Sequence, residues 1–329
     1  MKLGVGMDVG TMNLVAARST EVGTDFSRIR DAFLDVPLVS KKLLRLSGVD
    51  FIERDDELLI LGDTAMETAA VFGREARRPL KAGLVSPSEI DSIEVLGFLL
   101  QKVLGPPVED GEYCYFSVPA APVDEPDRDV IYHKRVFEKI ICDMGYEAIP
   151  SNEAMAIIYA CCAEERFTGL SFSFGSGMTN VAMSLNAIEC LSFSVARGGD
   201  WIDHGAAKSL GATQAKMCSI KEKGMDLMNP TTREEEALSF YYKELISYAL
   251  DYVLIEFNKI RSQFNLNEPL PIIVSGGTSK AGSFLDFFKA VFERKRRKFP
   301  FEVSEIRAAE DPLNAVAQGL LVQARQEYI

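Results

Sequence analysis

Three short turns rich in Gly, Ser and Thr each follow an apolar run: Asp8-Val9-Gly10-Thr11-Met12-Asn13, Gly175-Ser176-Gly177-Met178-Thr179-Asn180 and Ser275-Gly276-Gly277-Thr278. Glycine lets backbone N–H groups approach an anion closely, and Ser and Thr hydroxyls add donors. Two such turns facing one another can therefore clasp a di- or triphosphate. Taken singly, each also reads as a plain turn. Asp8 stands directly before the first turn, where a carboxylate can hold Mg²⁺ through water while the metal binds phosphate; a turn-capping Asp is the alternative. The sequence contains no G-x-x-x-x-G-K-[ST], and Gly4-Val5-Gly6-Met7-Asp8-Val9-Gly10 misses the G-x-G-x-x-G spacing by one residue and leads into a strand. His133 and His204 are isolated, without metal-ligand spacing, and read as surface or helix residues. The basic run at 294–298 reads as a solvated helix end, with a contact patch for an acidic neighbour as the alternative.

The elements around these turns repeat one grammar. Residues 3–9 and 14–18 read as two strands of a hairpin around the first turn. Residues 170–174 and 181–185 repeat that arrangement around the second, which suggests an internal duplication. Between the two hairpins, residues 32–78 read as a small insert with its own strands and a helix opened by Asp63. Helical spacing follows over 88–103, then a strand over 113–118 and a helix over 124–144. After the second hairpin come a strand over 188–195, a helix from about 202 and a long helix over 233–264. A strand from 271 runs into the third turn, and a helix from 312 closes the sequence.

Composition sets outer limits. At roughly 150 residues per domain, 329 residues make two domains, and 47% hydrophobic with 26% charged residues describes an ordinary folded chain. The charge of −12 repels phosphate backbones and anionic lipid over most of the surface, which argues against nucleic acid as a partner. Six cysteines without a C-x-x-C pair read as buried thiols of a reducing compartment. With no signal-type leader and no long uncharged apolar span, a soluble cytoplasmic protein is expected.

Taken together, the motifs resemble those of the actin-like ATPases, and most closely the bacterial MreB branch. The turn at 8–13 resembles the family's first phosphate motif, 175–182 the second, and 275–278 the adenosine motif. Asn152-Glu153-Ala154-Met155-Ala156 is similar to the connecting segment whose acidic or amide residue positions the attacking water, with Glu153 at that position. Arg78-Pro79-Leu80-Lys81-Ala82-Gly83-Leu84-Val85, Arg197-Gly198-Gly199-Asp200-Trp201-Ile202-Asp203 and Ala309-Glu310-Asp311-Pro312-Leu313-Asn314-Ala315-Val316-Ala317-Gln318-Gly319 are less generic matches, and Ile220-Lys221-Glu222-Lys223 is similar to the helix whose Lys and Glu contact the nucleoside. The resemblance implies an α/β, actin-like two-lobed fold of duplicated mixed-sheet domains with flanking helices. It implies a first lobe of 1–152 and 314–329 and a second of 153–313, with a reduced helical upper subdomain at about 208–264. It further implies Mg-ATP or ADP bound between the lobes by Gly10, Thr11, Met12, Asn13, Gly175, Ser176, Gly177, Met178, Gly199, Lys221, Glu222, Gly276, Gly277 and Thr278. Asp8 would hold Mg²⁺ through water, and Glu153 and Asp8 would carry catalysis.

Two positions depart from the family pattern. Ser173 stands where the second phosphate motif opens with an Asp, which points to nucleotide binding with weak hydrolysis. The stretch from Lys223 to the long helix is too short for the family's strands, which puts the usual filament geometry in doubt. The expected function is a filament-forming cytoskeletal ATPase, with a non-polymerising nucleotide switch that binds a partner protein as the alternative. The apolar loop at 104–108 reads as a plain turn, with membrane contact as an alternative that nothing else in the sequence indicates. A small-molecule kinase of the same superfold would need a catalytic Asp in a sugar pocket, and no such motif is found.

Overall fold

The computed structural model describes residues 3–86, 89, 91–264, 266 and 268–329. The first half opens with a meander of β1 (Val5–Val9), β2 (Asn13–Ser19) and β3 (Thr24–Arg30). The insert follows: β4 (Phe33–Pro37), α1 (Lys41–Leu46), β5 (Ile52–Arg54), β6 (Glu57–Leu61) and α2 (Asp63–Val71), with β4, β6 and β5 forming a sheet of their own. The short pair β7 (Leu80–Lys81) and β8 (Leu84–Val85) leads into α3 (Ser92–Leu104), whose Val95, Leu96, Leu99, Leu100 and Val103 fall on one buried face. The expected start of this helix, at Ser88 with Ile90, lies outside the described residues. Then come β9 (Tyr113–Val118), α4 (Val130–Asp143), β10 (Glu147–Asn152) and α5 (Glu153–Cys161). Helix α4 begins six residues later than the sequence suggests, where the Asp129 carboxylate accepts from Ile131 N at 2.7 Å.

The second half repeats the plan with β11 (Gly169–Phe174), β12 (Thr179–Leu185) and β13 (Ile188–Val195), followed by α6 (Gly199–Leu210), α7 (Gln214–Glu222) and α8 (Arg233–Ile260). A Thr232/Glu235 capping box starts α8. It ends on β14 (Leu270–Ser275), α9 (Phe284–Glu293), β15 (Val303–Ala308) and α10 (Ala315–Gln326). Among the described residues no strand lies between Val195 and Leu270, so this region is helical, as the short spacing after Lys223 implies.

The two five-stranded sheets have the same order. One runs β3-β2-β1-β9-β10 and the other β13-β12-β11-β14-β15, each an antiparallel meander extended by parallel strands. The duplication read from two Gly turns is therefore present in the topology. The covering helices are exchanged. Helix α5 leaves the first sheet and lies on the second, where Ser171 Oγ donates to Ala154 O at 2.7 Å. Helix α10 leaves the second sheet and lies on the first so closely that a Cβ on Gly6 would strike Ala317 O. The alternation in β11 follows from this. Leu170, Phe172 and Phe174 face the core against Phe284 and Phe288, while Ser171 and Ser173 keep the opposite face thin enough for α5.

Two smaller readings change. His133 is on a helix as expected but buried, its Nδ1 accepting from Val85 N at 3.2 Å; burial pulls the imidazole down to about 4. The cysteines are free, but only Cys114 and Cys162 are buried; Cys161, Cys190 and Cys218 are half-buried and Cys142 is exposed on α4.

Candidate functional site

The first sheet presents Asp8 where β1 runs out. Gly10 N closes the following turn on Asn13 O at 3.1 Å, and a Cβ on Gly10 would come within 2.7 Å of that oxygen. Ser117, beside Asp8 on β9, accepts from Val9 N at 2.7 Å and donates to Asp8 Oδ1 at 2.9 Å. The second sheet presents Ser173 at the corresponding place. Its turn is tied to its neighbours: Thr278 Oγ1 donates to Gly175 O at 2.9 Å, Gly199 N to the same oxygen at 2.9 Å and Asp200 N to Ser176 O at 2.8 Å. Gly276 holds a φ of +92°, and a Cβ there would lie 2.5 Å from Phe174 O, so the third turn can pass this close to the second only with glycine.

Glu153 sits between the two walls as the first residue of α5. Asn152 caps that helix, its side-chain oxygen accepting from Ala154 N at 2.9 Å and Met155 N at 3.0 Å. The carboxylate accepts from Ser173 Oγ at 2.6 Å and from Asn180 Nδ2 at 2.9 Å. Asn180 is fixed in turn, its Oδ1 accepting from Ala120 N at 3.2 Å. Burial and the neighbouring Glu153 charge push Asp8 up to about 8, with the Ser117 hydrogen bond pulling the other way. Burial likewise raises Glu153, against its two hydrogen bonds. The pair therefore disfavours two negative charges unless a cation is near.

These groups line one cavity of about 380 Å³, a size ordinary for small-molecule sites. All sixteen residues singled out in the sequence lie on its wall: Asp8, Gly10, Thr11, Met12, Asn13, Glu153, Gly175, Ser176, Gly177, Met178, Gly199, Lys221, Glu222, Gly276, Gly277 and Thr278. The two hairpin turns nearly touch, since a Cβ on Gly177 would lie 2.7 Å from Thr11 Oγ1 and collide with Gly83 N. Among the described residues, Ser176 Oγ is buried without a hydrogen-bond partner, as a donor reserved for a ligand would be. Some side chains are engaged by the protein. Met178 Sδ accepts from Ser194 Oγ at 3.6 Å, and Lys221 Nζ binds Asp203 Oδ2 at 2.9 Å and Gly199 O at 3.0 Å. Burial still pushes Asp203 up to about 6 despite that lysine. Glu222 is held by Arg30, and Met12 Sδ accepts from the same guanidinium.

Sequence reasoning missed Arg28, Arg30, Asp63, Asn180, Asp200 and Lys280, which also line the cavity, and Ser117 behind Asp8. Asn180 had a signal: in the hairpin it stands directly opposite Ser173. Among the described residues no group of three or more His, Cys, Asp or Glu side chains converges to hold a metal. With Asp8 and Glu153 as the carboxylates at the phosphate turns, the site suits a metal bound chiefly through a ligand's phosphates and water. No helix of the described residues is long and apolar enough to cross a membrane.

Solved structures share this architecture. A MamK double helical filament superposes with a TM-score of 0.71 over 98% of this chain and 99% of that chain at 17% identity. MreB 5 of Spiroplasma citri bound to AMPPNP gives 0.70 over 100% and 97% at 15% identity. The ethanolamine utilization protein EutJ from Carboxydothermus hydrogenoformans gives 0.56 over 98% and 89% at 16% identity. At these identities the likeness establishes the actin-like two-lobed fold. No curated protein matches the chain in sequence. A family model does, from residue 3 to residue 324, and the chain belongs to that family, Volactin.

Proposed function

We propose that this chain is an actin-like cytoskeletal protein that binds Mg-ATP between its lobes, hydrolyses it weakly and assembles into filaments. The observation that carries the reading is the convergence of three Gly turns, the first of them opened by Asp8, and Glu153, from four separate stretches of sequence, on one cavity. The turns at 10–13 and 175–178 supply backbone donors and the hydroxyls of Thr11 and Ser176 to the phosphates. Gly199, Lys221, Glu222 and the turn at 276–278 form the nucleoside wall. A bound Mg²⁺, held through water by Asp8, would neutralise phosphate charge. Glu153 orients the attacking water and takes its proton, and its two hydrogen bonds fix it for that role. Weak turnover follows from Ser173, which leaves the site with a single carboxylate on the strand ends.

Solved relatives support the assembly and the ligand: MamK is described as a double helical filament, and MreB 5 of Spiroplasma citri as bound to AMPPNP and to ADP. The packing of α10 on the first sheet and α5 on the second supports lobes of 1–152 with 314–329 and of 153–313, with the insert at 32–78. Free cysteines support a cytoplasmic setting.

The second reading is a nucleotide-dependent switch without polymerisation, favoured by the helical region at about 208–264. Sedimentation and negative-stain microscopy with ATP, ADP and no nucleotide separate the two. Nucleotide-dependent filaments are expected; a protein that retains nucleotide but stays monomeric in every state is the switch.

A further inference from the structure

Arg30 ends β3, the edge strand of the first sheet, in register with Asn13 of the first turn. Its guanidinium joins three separate pieces of the molecule. Nη1 lies 2.8 Å from Met12 Sδ in the first phosphate turn. Nε donates to Asp63 Oδ1, at the start of α2 in the insert, at 3.2 Å. Nη1 and Nη2 donate to Glu222 Oε1, on the last residue of α7, at 3.2 and 3.1 Å. All four residues line the cavity. Among the described residues Glu222 has no other hydrogen-bond or ion-pair partner, whereas its neighbour Lys221 is turned inward to Asp203 and Gly199. The end of α7 therefore offers one carboxylate across the gap, and Arg30 takes it. Farther along the same gap Arg78 pairs with Asp200 at 2.9 Å.

From this geometry we propose that Arg30 is a positioning residue that fastens the two walls of the cleft over a bound nucleotide and sets how fast that nucleotide leaves. The inference rests on the nucleotide reading above and adds a residue and a step to it. The Arg30–Glu222 bond ties the end of β3 to the end of α7 at the cavity wall, so the parting of these two elements, which the proposal assigns to release, must break it. Only the five-donor fork of arginine can hold Met12, Asp63 and Glu222 together; a lysine presents a point charge. The Arg30 side chain is 20% exposed but those of Asp63 and Glu222 are 73% and 51% exposed, so the bridge is partly screened and responds to salt.

The test is release of a fluorescent ADP analogue from the full chain, chased with unlabelled ADP. For a half-exposed pair, Arg30→Gln should speed release about two- to fivefold and weaken its acceleration by salt. Glu222→Gln, at an exposed helix end where folding is little affected, should do the same. The double variant should be no faster than either single one, because both remove one bond. Arg30→Lys should fall between. Unchanged release in both single variants overturns the proposal. So does a double variant whose acceleration is the product of the two, which would mean that each residue touches the ligand separately. A wild-type chain that retains no nucleotide overturns the underlying reading itself, and is told apart by the absence of any bound signal before the chase.

Discussion

Replacing Ser173 tests the chemistry of the site most directly. Its hydroxyl donates to Glu153 Oε1 at 2.6 Å, within the short range of a hydrogen bond to a carboxylate, with Ser173 buried and Glu153 half-buried. Ser173→Ala removes that bond and leaves Glu153 held by Asn180 alone. A hydrogen bond to a charged group is worth about 1.5–3 kcal/mol, which at about 1.4 kcal/mol per decade is roughly a 10- to 100-fold loss of turnover. Binding should change little, because the phosphate turns are untouched. Ser173→Asp acts in the opposite sense. It sets a third carboxylate beside Asp8 and Glu153, so the metal-free protein should melt at lower temperature, Mg²⁺ should restore much of the loss, and turnover should rise. Single-turnover phosphate release with saturating Mg-ATP, fluorescent-nucleotide affinity and melting with and without Mg²⁺ read the three effects apart. Full turnover in Ser173→Ala, or turnover unchanged or reduced in Ser173→Asp, would refute the reasoning.

The Asp8 carboxyl is raised from 3.8 to about 8, so the folded state holds a proton that the unfolded chain releases; its contribution to stability is present below about pH 4 and is lost as pH rises through 8. Asp8→Asn should therefore raise the melting temperature of the metal-free protein more at pH 8 than at pH 5, and equal shifts at both would contradict the burial argument. Gly319→Ala places a Cβ against the Ala156 carbonyl where α10 crosses α5, a contact between backbones that cannot rotate away. Overpacking of this kind costs about 3 kcal/mol, and because each helix covers the other half's sheet, thermal melting should shift as one transition; loss of one lobe alone would argue against a shared α5–α10 joint.

Much of this architecture was legible because alternation and turn chemistry are local. The strands at Tyr113–Val118 and Ile188–Val195 have the bounds that the sequence suggests, and the helix at Asp63 begins where it suggests. The elements that escaped carry little apolar signal. In β3 the sequence TDFSRIR has no buried residue, because it is an edge strand whose order comes from its ladder with β2. In β10 every residue is half-buried or exposed and Pro150 interrupts the pattern, and α7 buries only Met217. The site was read through its glycines, whose reason is local. Arg30 and Ser117 gained their roles from partners 192 and 109 positions away, Glu222 and Asp8, which no spacing rule reaches.

The repeated topology also explains why Ser173 and Asp8 matter together. Asp8 precedes Gly10 by two residues, and Ser173 precedes Gly175 by two; Asp8 pairs with Val15 across its hairpin, and Ser173 with Asn180. Each lies beside a serine of the adjoining parallel strand, Ser117 for one and Ser275 for the other. They are the same structural position in the two halves, and only the first is charged. A charge at both would set two carboxylates against Glu153 in a buried cleft, a state that needs a bound cation to be tolerated. With serine in the second half, the hydroxyl instead steadies Glu153, while burial and the Glu153 charge beside it favour the neutral form of Asp8. The cleft thus needs less help from a metal to stay folded, and by the same substitution offers a metal less to hold. On the proposed reading, stability without Mg²⁺ and slow hydrolysis with it would both follow from one residue, so Ser173→Asp should move them in opposite directions.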